Sequence, residues 1–338
     1  MPLVFLRRFA SGQTRWQSET ENKIIQSKGV MMADIINKEA YPLGYVLTTD
    51  SNCDLTGDML KPYQIACVSM PYSIDGVEYR RDPDMDFDDK AFYEQMRQGK
   101  EVKTMACNVE DFKTFWRPYL EAGLDIVYLG FTHRLSSTYD NACAARDALK
   151  EEYPERRVYA LDTLLISVPQ GLHVLLCGRK YAQGASMDEL IQYAEDNKQR
   201  IAVLVLVDSL DYLRRGGRLS ATSAAVGTLL DIKPVIYLPP EGTLEVIAKF
   251  KGQKKAVRQI AQAVADNLDM REGEDGLLIV IDADADEQAE RMIQALHDQG
   301  VTADITRLPI GPVIGAHIGP GTTAVCYLGK QRAPARLS

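Results

Sequence analysis

Histidine is scarce in this sequence: four residues in 338, at positions 133, 173, 297 and 317. None falls in an H-E-x-x-H spacing, which removes the commonest helical zinc-hydrolase arrangement. The six cysteines, at 53, 67, 107, 143, 177 and 326, never approach one another as C-x-x-C. A zinc ribbon and a thioredoxin-type motif are therefore excluded. Six are also too few for a disulfide scaffold, so reduced thiols in a cytoplasmic protein are expected. Long apolar runs are missing too. Ile201 to Val207 is a run of seven residues, against the roughly 20 that a membrane-spanning helix needs, so no stable membrane insertion is expected. There is no G-x-x-x-x-G-K-[ST], no G-x-S-x-G and no G-x-G-x-x-G after a strand, so no cofactor is expected. Basic charge is in deficit. Lys and Arg total 39 and Asp and Glu total 47, a net charge of −8. Such a surface does not attract a phosphate backbone at long range, and a nucleic-acid partner is not expected.

What is present is ordinary globular composition, 46% hydrophobic and 25% charged. At about 150 residues per domain the length predicts two domains. Residues 1–41 stand apart: 1–30 lack periodicity and are mixed in charge, and Glu19 and Glu21 argue against a basic transit peptide. They read as a disordered leader or an over-long gene start, with targeting the lesser alternative. From Leu43 short β-branched runs alternate with amphipathic segments. "LGYVLTT" (43–49), "QIACVSM" (64–70), "LDIVYLG" (124–130) and "RVYALDT" (157–163) read as strands. Helical spacing covers 88–97, 109–121 and 138–151. That alternation predicts an α/β domain over 42–195, its sheet mostly parallel with helices on both faces.

The second half reads differently. "IAVLVLV" (201–207) is a strand, and "DSLDYLRRGGRLS" is a helix ended by a glycine pair. "ATSAAVGTLLDI" is helix-like. "KPVIYL" and "TLEVIAKF" flank the turn "PPEG" as a hairpin. Helix 253–270, strand "GLLIVIDA", helix 286–299, strand "VTADITRL" and the apolar runs "GPVIGAHIG" and "TTAVCYLG" follow. This predicts a smaller α/β domain over 196–330, its sheet the smaller of the two, with antiparallel strand pairs and helices on one face. Residues 331–338 read as a polar, frayed tail.

Three places could carry chemistry. In open α/β sheets ligands sit beyond the carboxyl ends of the strands. Here those ends carry Thr48, Thr49, Asp50 and Ser51, and then Thr132, His133, Arg134, Ser136, Ser137 and Thr138. The hydroxyls at 136–138 read first as helix caps and second as contacts to an anionic oxygen. His317 lies among Gly311, Gly315, Gly319 and Gly321, and on spacing alone it is a core residue or a ligand contact. The acidic run "DADADE" (282–287) fails as a calcium loop: Glu287 stands where Gly is required and Ile293 where Glu is.

Six segments occur in order: "TDSNCDL" (49–55), "PYSIDGVEYRRD" (71–82), "KT" (103–104), "LSSTYDNA" (135–142), "RRGGRLS" (214–220) with "KP" (233–234), and "GPVIGAHIGPG" (311–321). Together, over about residues 43–329, they resemble the DegV family of bacterial fatty-acid-binding proteins, which act with a fatty acid kinase. The resemblance implies a long-chain fatty acid held in a tunnel between two α/β domains. Its carboxylate would meet Thr104, Ser136 and His317, and a partner kinase would phosphorylate it. The family's T-S-x-P is "TMAC" here, so Met105 replaces a hydroxyl residue and Cys107 a proline. Its L-S-G-T is "LSST", so Ser137 replaces glycine and can return a donor.

The expected function is thus a non-enzymatic carrier with a bound fatty acid and a kinase partner. Apolar runs 164–177 and 224–232 are candidate tunnel walls. The alternative is an acyl hydrolase using Ser136 or Thr104 with His317, although no acidic residue is placed by the sequence to orient that histidine. Arg214, Arg215 and Arg218 form a basic cluster in an acidic chain. They read as a solvated helix end, a docking patch for an acidic partner, or a contact near the head group.

Overall fold

The protein is described by a computed structural model covering residues 36–219, 232–269, 277–332 and 337. Residues 1–35 of the expected leader, the helix-like stretch 221–231 and tunnel candidate 224–231 lie outside the described residues. From Asn37 onward the described residues form one compact unit.

Four strands make a parallel sheet: β1 (Tyr45–Asp50), β2 (Ala66–Val68), β6 (Asp125–Gly130) and β7 (Val158–Asp162), in the order β2-β1-β6-β7. β1 and β6 are buried along nearly their whole length, as strands covered on both faces must be. One cover is α3 (Val109–Glu121) with α4 (Thr138–Glu152). Phe112, Trp116 and Leu120 of α3 pack there against Tyr128 of β6. An Asn108–Asp111 capping box starts α3, satisfying backbone donors that the first turn leaves unpaired.

The other cover is α5 (Ser167–Ala182). It is buried around almost its full circumference, which only a helix enclosed on all sides can be. Its opposite side meets the second sheet. That sheet contains β8 (Ile201–Leu206), β9 (Ile232–Tyr237), β10 (Glu245–Lys251), β11 (Leu278–Asp282), β12 (Ile305–Pro309) and β13 (Thr323–Leu328), in the order β10-β9-β8-β13-β11-β12. Its pairs are antiparallel except β11 with β12. Helices α8 (Gln253–Asn267) and α9 (Asp286–Asp298) cover the face turned away from α5. Leu172 and Leu176 of α5 belong to the same core as Val127 of β6 and Val203 of β8. Among the described residues this sheet has six strands and the parallel sheet four, so by strand count the second sheet is the larger one, against the sequence expectation.

Two segments differ from their sequence reading. "QIACVSM" divides after Val68: Ala66–Val68 joins the parallel sheet, while β3 (Met70–Ile74) turns into a separate antiparallel sheet with β4 (Val77–Arg81) and β5 (Val102–Thr104). The Ser51 hydroxyl accepts the Met70 N–H at 2.9 Å and fixes that turn. "GPVIGAHIG" is a short helix, α10 (Pro312–Ile318), with Pro312 at its first position, where a missing N–H costs nothing. The remaining helices are α1 (Gly57–Leu60), α2 (Asp89–Arg97), α6 (Met187–Asn197) and α7 (Asp211–Arg215).

The tail is not frayed throughout. Arg332 is 2% exposed. Its guanidinium donates to the carbonyls of Leu164 at 2.9 Å and Pro239 at 3.3 Å, and to that of Lys198. It therefore ties the loop after β7 to the turn between β9 and β10.

Candidate functional site

β5 ends at Thr104 and α10 carries His317 in its last turn. Thr104 Oγ1 and His317 Nε2 are 2.8 Å apart, a hydrogen bond across 213 residues of sequence. Gly216, just after α7, lies against the other ring nitrogen: a Cβ there would sit 2.4 Å from His317 Nδ1. That is well inside contact distance, so the first glycine of "RRGGRLS" is the surface on which the imidazole rests.

Below this pair lies a cavity of about 160 Å³. Thr104, Ser136, Ser137, His317 and Arg218 line it together with Met105, Phe131, Leu135 and Ile314. Four side chains expected at a head group are thus brought together, from three separate segments. Adjoining it, a second cavity of about 30 Å³ has an apolar lining that includes Val203, Val205, Ile236, Ile281, Ile310 and Ala324. Ile166, Leu213, Leu244, Ile314 and Ile318 belong to both linings. Of the expected tunnel walls, Ile166, Ser167 and Pro169 line this second cavity; the rest of 164–177 is largely core around α5. On the outer side of His317 is a polar groove of about 550 Å³, with Lys100, Lys103, Arg215 and Arg218 on its walls.

Ser136 accepts the Thr138 N–H at 3.2 Å and shares a hydrogen bond of 2.9 Å with the Thr138 hydroxyl. It turns the chain into α4 and faces the cavity at once, so capping and ligand contact are compatible. Ser137 stands at the cap position without a side-chain cap bond. Arg218 points inward, donating to Leu135 O at 3.2 Å and Gly216 O at 2.5 Å. Arg214 is exposed and pairs with Asp211 at 2.9 Å. Arg215 lies 4.5 Å from the Tyr212 ring centroid. The three arginines therefore divide: Arg218 lines the cavity and, with Arg215, the outer groove, while Arg214 belongs to neither lining.

Burial, with the Arg218 charge as a lesser cause, pushes His317 down to about 4. The ring is neutral at pH 7 and presents one N–H. The other strand-end residues are engaged internally. The Thr48 and Thr49 hydroxyls donate to Val127 O at 3.2 Å and Leu129 O at 2.9 Å. Asp50 accepts from the Tyr128 hydroxyl at 2.6 Å, the Phe131 N–H at 3.1 Å and the Gln170 amide at 3.2 Å. His133 pairs with Asp162 at the surface. Asn52 is a cavity residue that sequence reasoning passed over. It is 1% exposed, and its side-chain oxygen has no hydrogen-bond partner. Its one signal was its place in "TDSNCDL", directly after a strand end.

Among the described residues no cluster of three or more His, Cys, Asp or Glu side chains is arranged to hold a metal ion. Asp282 and Asp286 of the "DADADE" run instead bond Arg307. Among the described residues no helix is long and apolar enough to cross a membrane.

This architecture recurs in known proteins. A DegV domain-containing protein of Clostridium perfringens is 36% identical over 290 residues, covering 86% of this chain and 99% of its own. A fatty-acid-binding DegV family protein of Thermus thermophilus superposes with a TM-score of 0.74 at 27% identity, covering 84% of this chain and 99% of its own. One from Streptococcus agalactiae, also described as fatty acid binding, gives 0.73 at 26%, covering 85% and 99%. The model of the DegV family, described as an uncharacterised protein family, matches residues 45–330. That span runs from the first residue of β1 to just beyond β13, taking in both sheets and every segment that builds the cavity, and the chain belongs to the DegV family.

Proposed function

We propose that this protein is a cytoplasmic carrier of a long-chain fatty acid. The carboxylate meets Thr104, Ser136, Ser137 and His317, and the acyl chain runs into the apolar cavity against the second sheet. One observation carries the reading: the Thr104–His317 pair stands where a polar mouth gives way to an apolar lining. The fatty acids bound by the Thermus and Streptococcus relatives support it. In this reading residues 42–195 and 196–330 act as two domains that close on the ligand from either side.

The magnitudes fit a lipid. Each buried methylene contributes roughly 0.8 kcal/mol, so a sixteen-carbon chain contributes about 11 kcal/mol before ordering costs. A charge-assisted hydrogen bond adds roughly 1.5–3 kcal/mol. The chain sets affinity, and the polar mouth sets direction and depth. The carboxylate then faces the outer groove, where a partner fatty acid kinase would reach it. Arg214 and Arg215, on the outer side, are the candidate docking residues for an acidic face of that partner.

The Thr104–His317 distance also suits a nucleophile and its base. A base held down at about 4 is a weak one at neutral pH, and neither cause of its shift is a carboxylate. The carrier reading is therefore favoured over the hydrolase. The test is native mass spectrometry of the purified protein, before and after incubation with palmitate. One fatty acid per chain is expected. Protein that stays empty after incubation overturns the reading.

A further inference from the structure

Three of the six sequence segments, 49–55, 71–82 and 311–321, meet at one buried carboxylate, Asp54. It lies just beyond β1 and is 6% exposed. The Ser167 hydroxyl, at the start of α5, donates to its Oδ2 at 2.5 Å. The Gly311 N–H, at the cap of α10, donates to its Oδ1 at 3.2 Å. Arg81, at the end of β4, is the cation acting on it, while Asp50 acts in the opposite sense. Tyr93 and Cys326 also lie within its electrostatic reach.

Two features mark this junction as built for position and not only for cohesion. Asp54 and Ser167 both hold left-handed backbone, φ 54° and 47°, a conformation that costs about 1 kcal/mol or more for a non-glycine residue. Gly311 has no room for a side chain, since a Cβ would fall 2.3 Å from Asp54 Oδ1. Burial pushes the Asp54 carboxyl up to about 7, against the pull of Ser167, Arg81 and the Gly311 N–H. A buried group held at such cost, with every donor fixed, leaves α10 little freedom at its entry. His317 is six residues further on, about 9 Å along the same short helix.

We propose that Asp54 is a positioning residue for the head-group site: by anchoring the Gly311 end of α10 it sets the depth at which His317 meets Thr104. This rests on the fatty-acid reading of the cavity. Ligand entry from the mouth then leaves α10 fixed at its far end, and the imidazole stays aligned for a carboxylate.

The experiment compares wild type, Asp54→Ala and Asp54→Asn. It measures affinity for palmitate and for methyl palmitate, and the ¹⁵N shifts of the His317 ring in ligand-free protein. In Asp54→Ala the palmitate affinity is expected to fall about 10-fold, as for one lost hydrogen bond to a charged group. The ester affinity should fall less than about 3-fold, and the His317 ring shifts should move. Asp54→Asn keeps an acceptor for Gly311 and should restore most of the acid preference. An unchanged acid-to-ester ratio with unchanged ring shifts in a folded Asp54→Ala overturns the proposal. Should Asp54→Ala not fold, Ser167→Gly removes one donor while tolerating the left-handed backbone. It must then lower the same ratio; an unchanged ratio is equally fatal. Wild type that binds neither ligand counts against the fatty-acid reading, and the ring shifts still test the role of Asp54.

Discussion

Thr104 and His317 share a hydrogen bond of 2.8 Å although 213 residues separate them. One ends an edge strand of the small antiparallel sheet; the other sits in the last turn of a seven-residue helix that links β12 to β13 of the larger sheet. The pair exists only because both elements reach the mouth of the same cavity. Each side chain satisfies the other, so in the proposed reading a carboxylate would replace a bond and not merely add one.

From that follows the behaviour of His317→Ala. Binding of palmitate should weaken by roughly 10- to 150-fold, the value of a hydrogen bond to a charged group. It should not be abolished, because the acyl chain supplies most of the affinity. Methyl palmitate, which carries no charge, should lose less than about 3-fold. Titration calorimetry of both ligands against both proteins checks this. Equal losses for acid and ester would assign His317 to the cavity wall.

The protonation of His317 gives a pH signature. Without ligand its pKa lies near 4, held down by burial and then by Arg218. The folded value is below the unfolded one of about 6.5. Its share of stability is therefore complete above about 6.5 and is lost as pH falls through about 4. A carboxylate placed beside the ring favours the charged form, so palmitate should raise this pKa. Proton and nitrogen NMR titration of the ring, with and without palmitate, reads both values. A pKa unmoved by palmitate would show that the carboxylate lies elsewhere.

Asn52→Leu should stabilise the ligand-free protein. The Asn52 side-chain oxygen is buried without a partner, and removing such a group returns roughly 1 kcal/mol. Thermal unfolding should shift upward by roughly 2 °C. A downward shift would mean that the amide has a partner in solution.

Arg332→Ala should destabilise the protein by roughly 2 kcal/mol or more, because the buried carbonyls of Leu164, Pro239 and Lys198 would lose a charged donor. Urea denaturation measures it. Unchanged stability would mean that water replaces the guanidinium without loss.

Strand and helix order was legible in the sequence because it depends on local pattern. The buried runs 43–49, 124–130 and 157–163 became β1, β6 and β7, and the amphipathic segments 109–121 and 138–151 became α3 and α4. Periodicity reports which residues face a core. It failed at "GPVIGAHIG", where seven helical residues are too few to display a period. It failed again at "QIACVSM", where a serine contact from another loop decides that the chain changes sheet.

The site divides along the same line. Thr104, Ser136 and His317 were named together only through the family resemblance; by residue type alone Ser136 was as well a helix cap, His317 as well a core residue, and Thr104 gave no signal of its own. What those residues touch was not there to be read. The tertiary structure alone turned Arg218 inward while leaving Arg214 at the surface, buried the Asn52 amide, drew Arg332 out of a polar tail, and closed Asp54 onto Gly311. These contacts join residues tens to hundreds of positions apart. Their energies depend on distance and burial, which come into being only when the two sheets pack on α5.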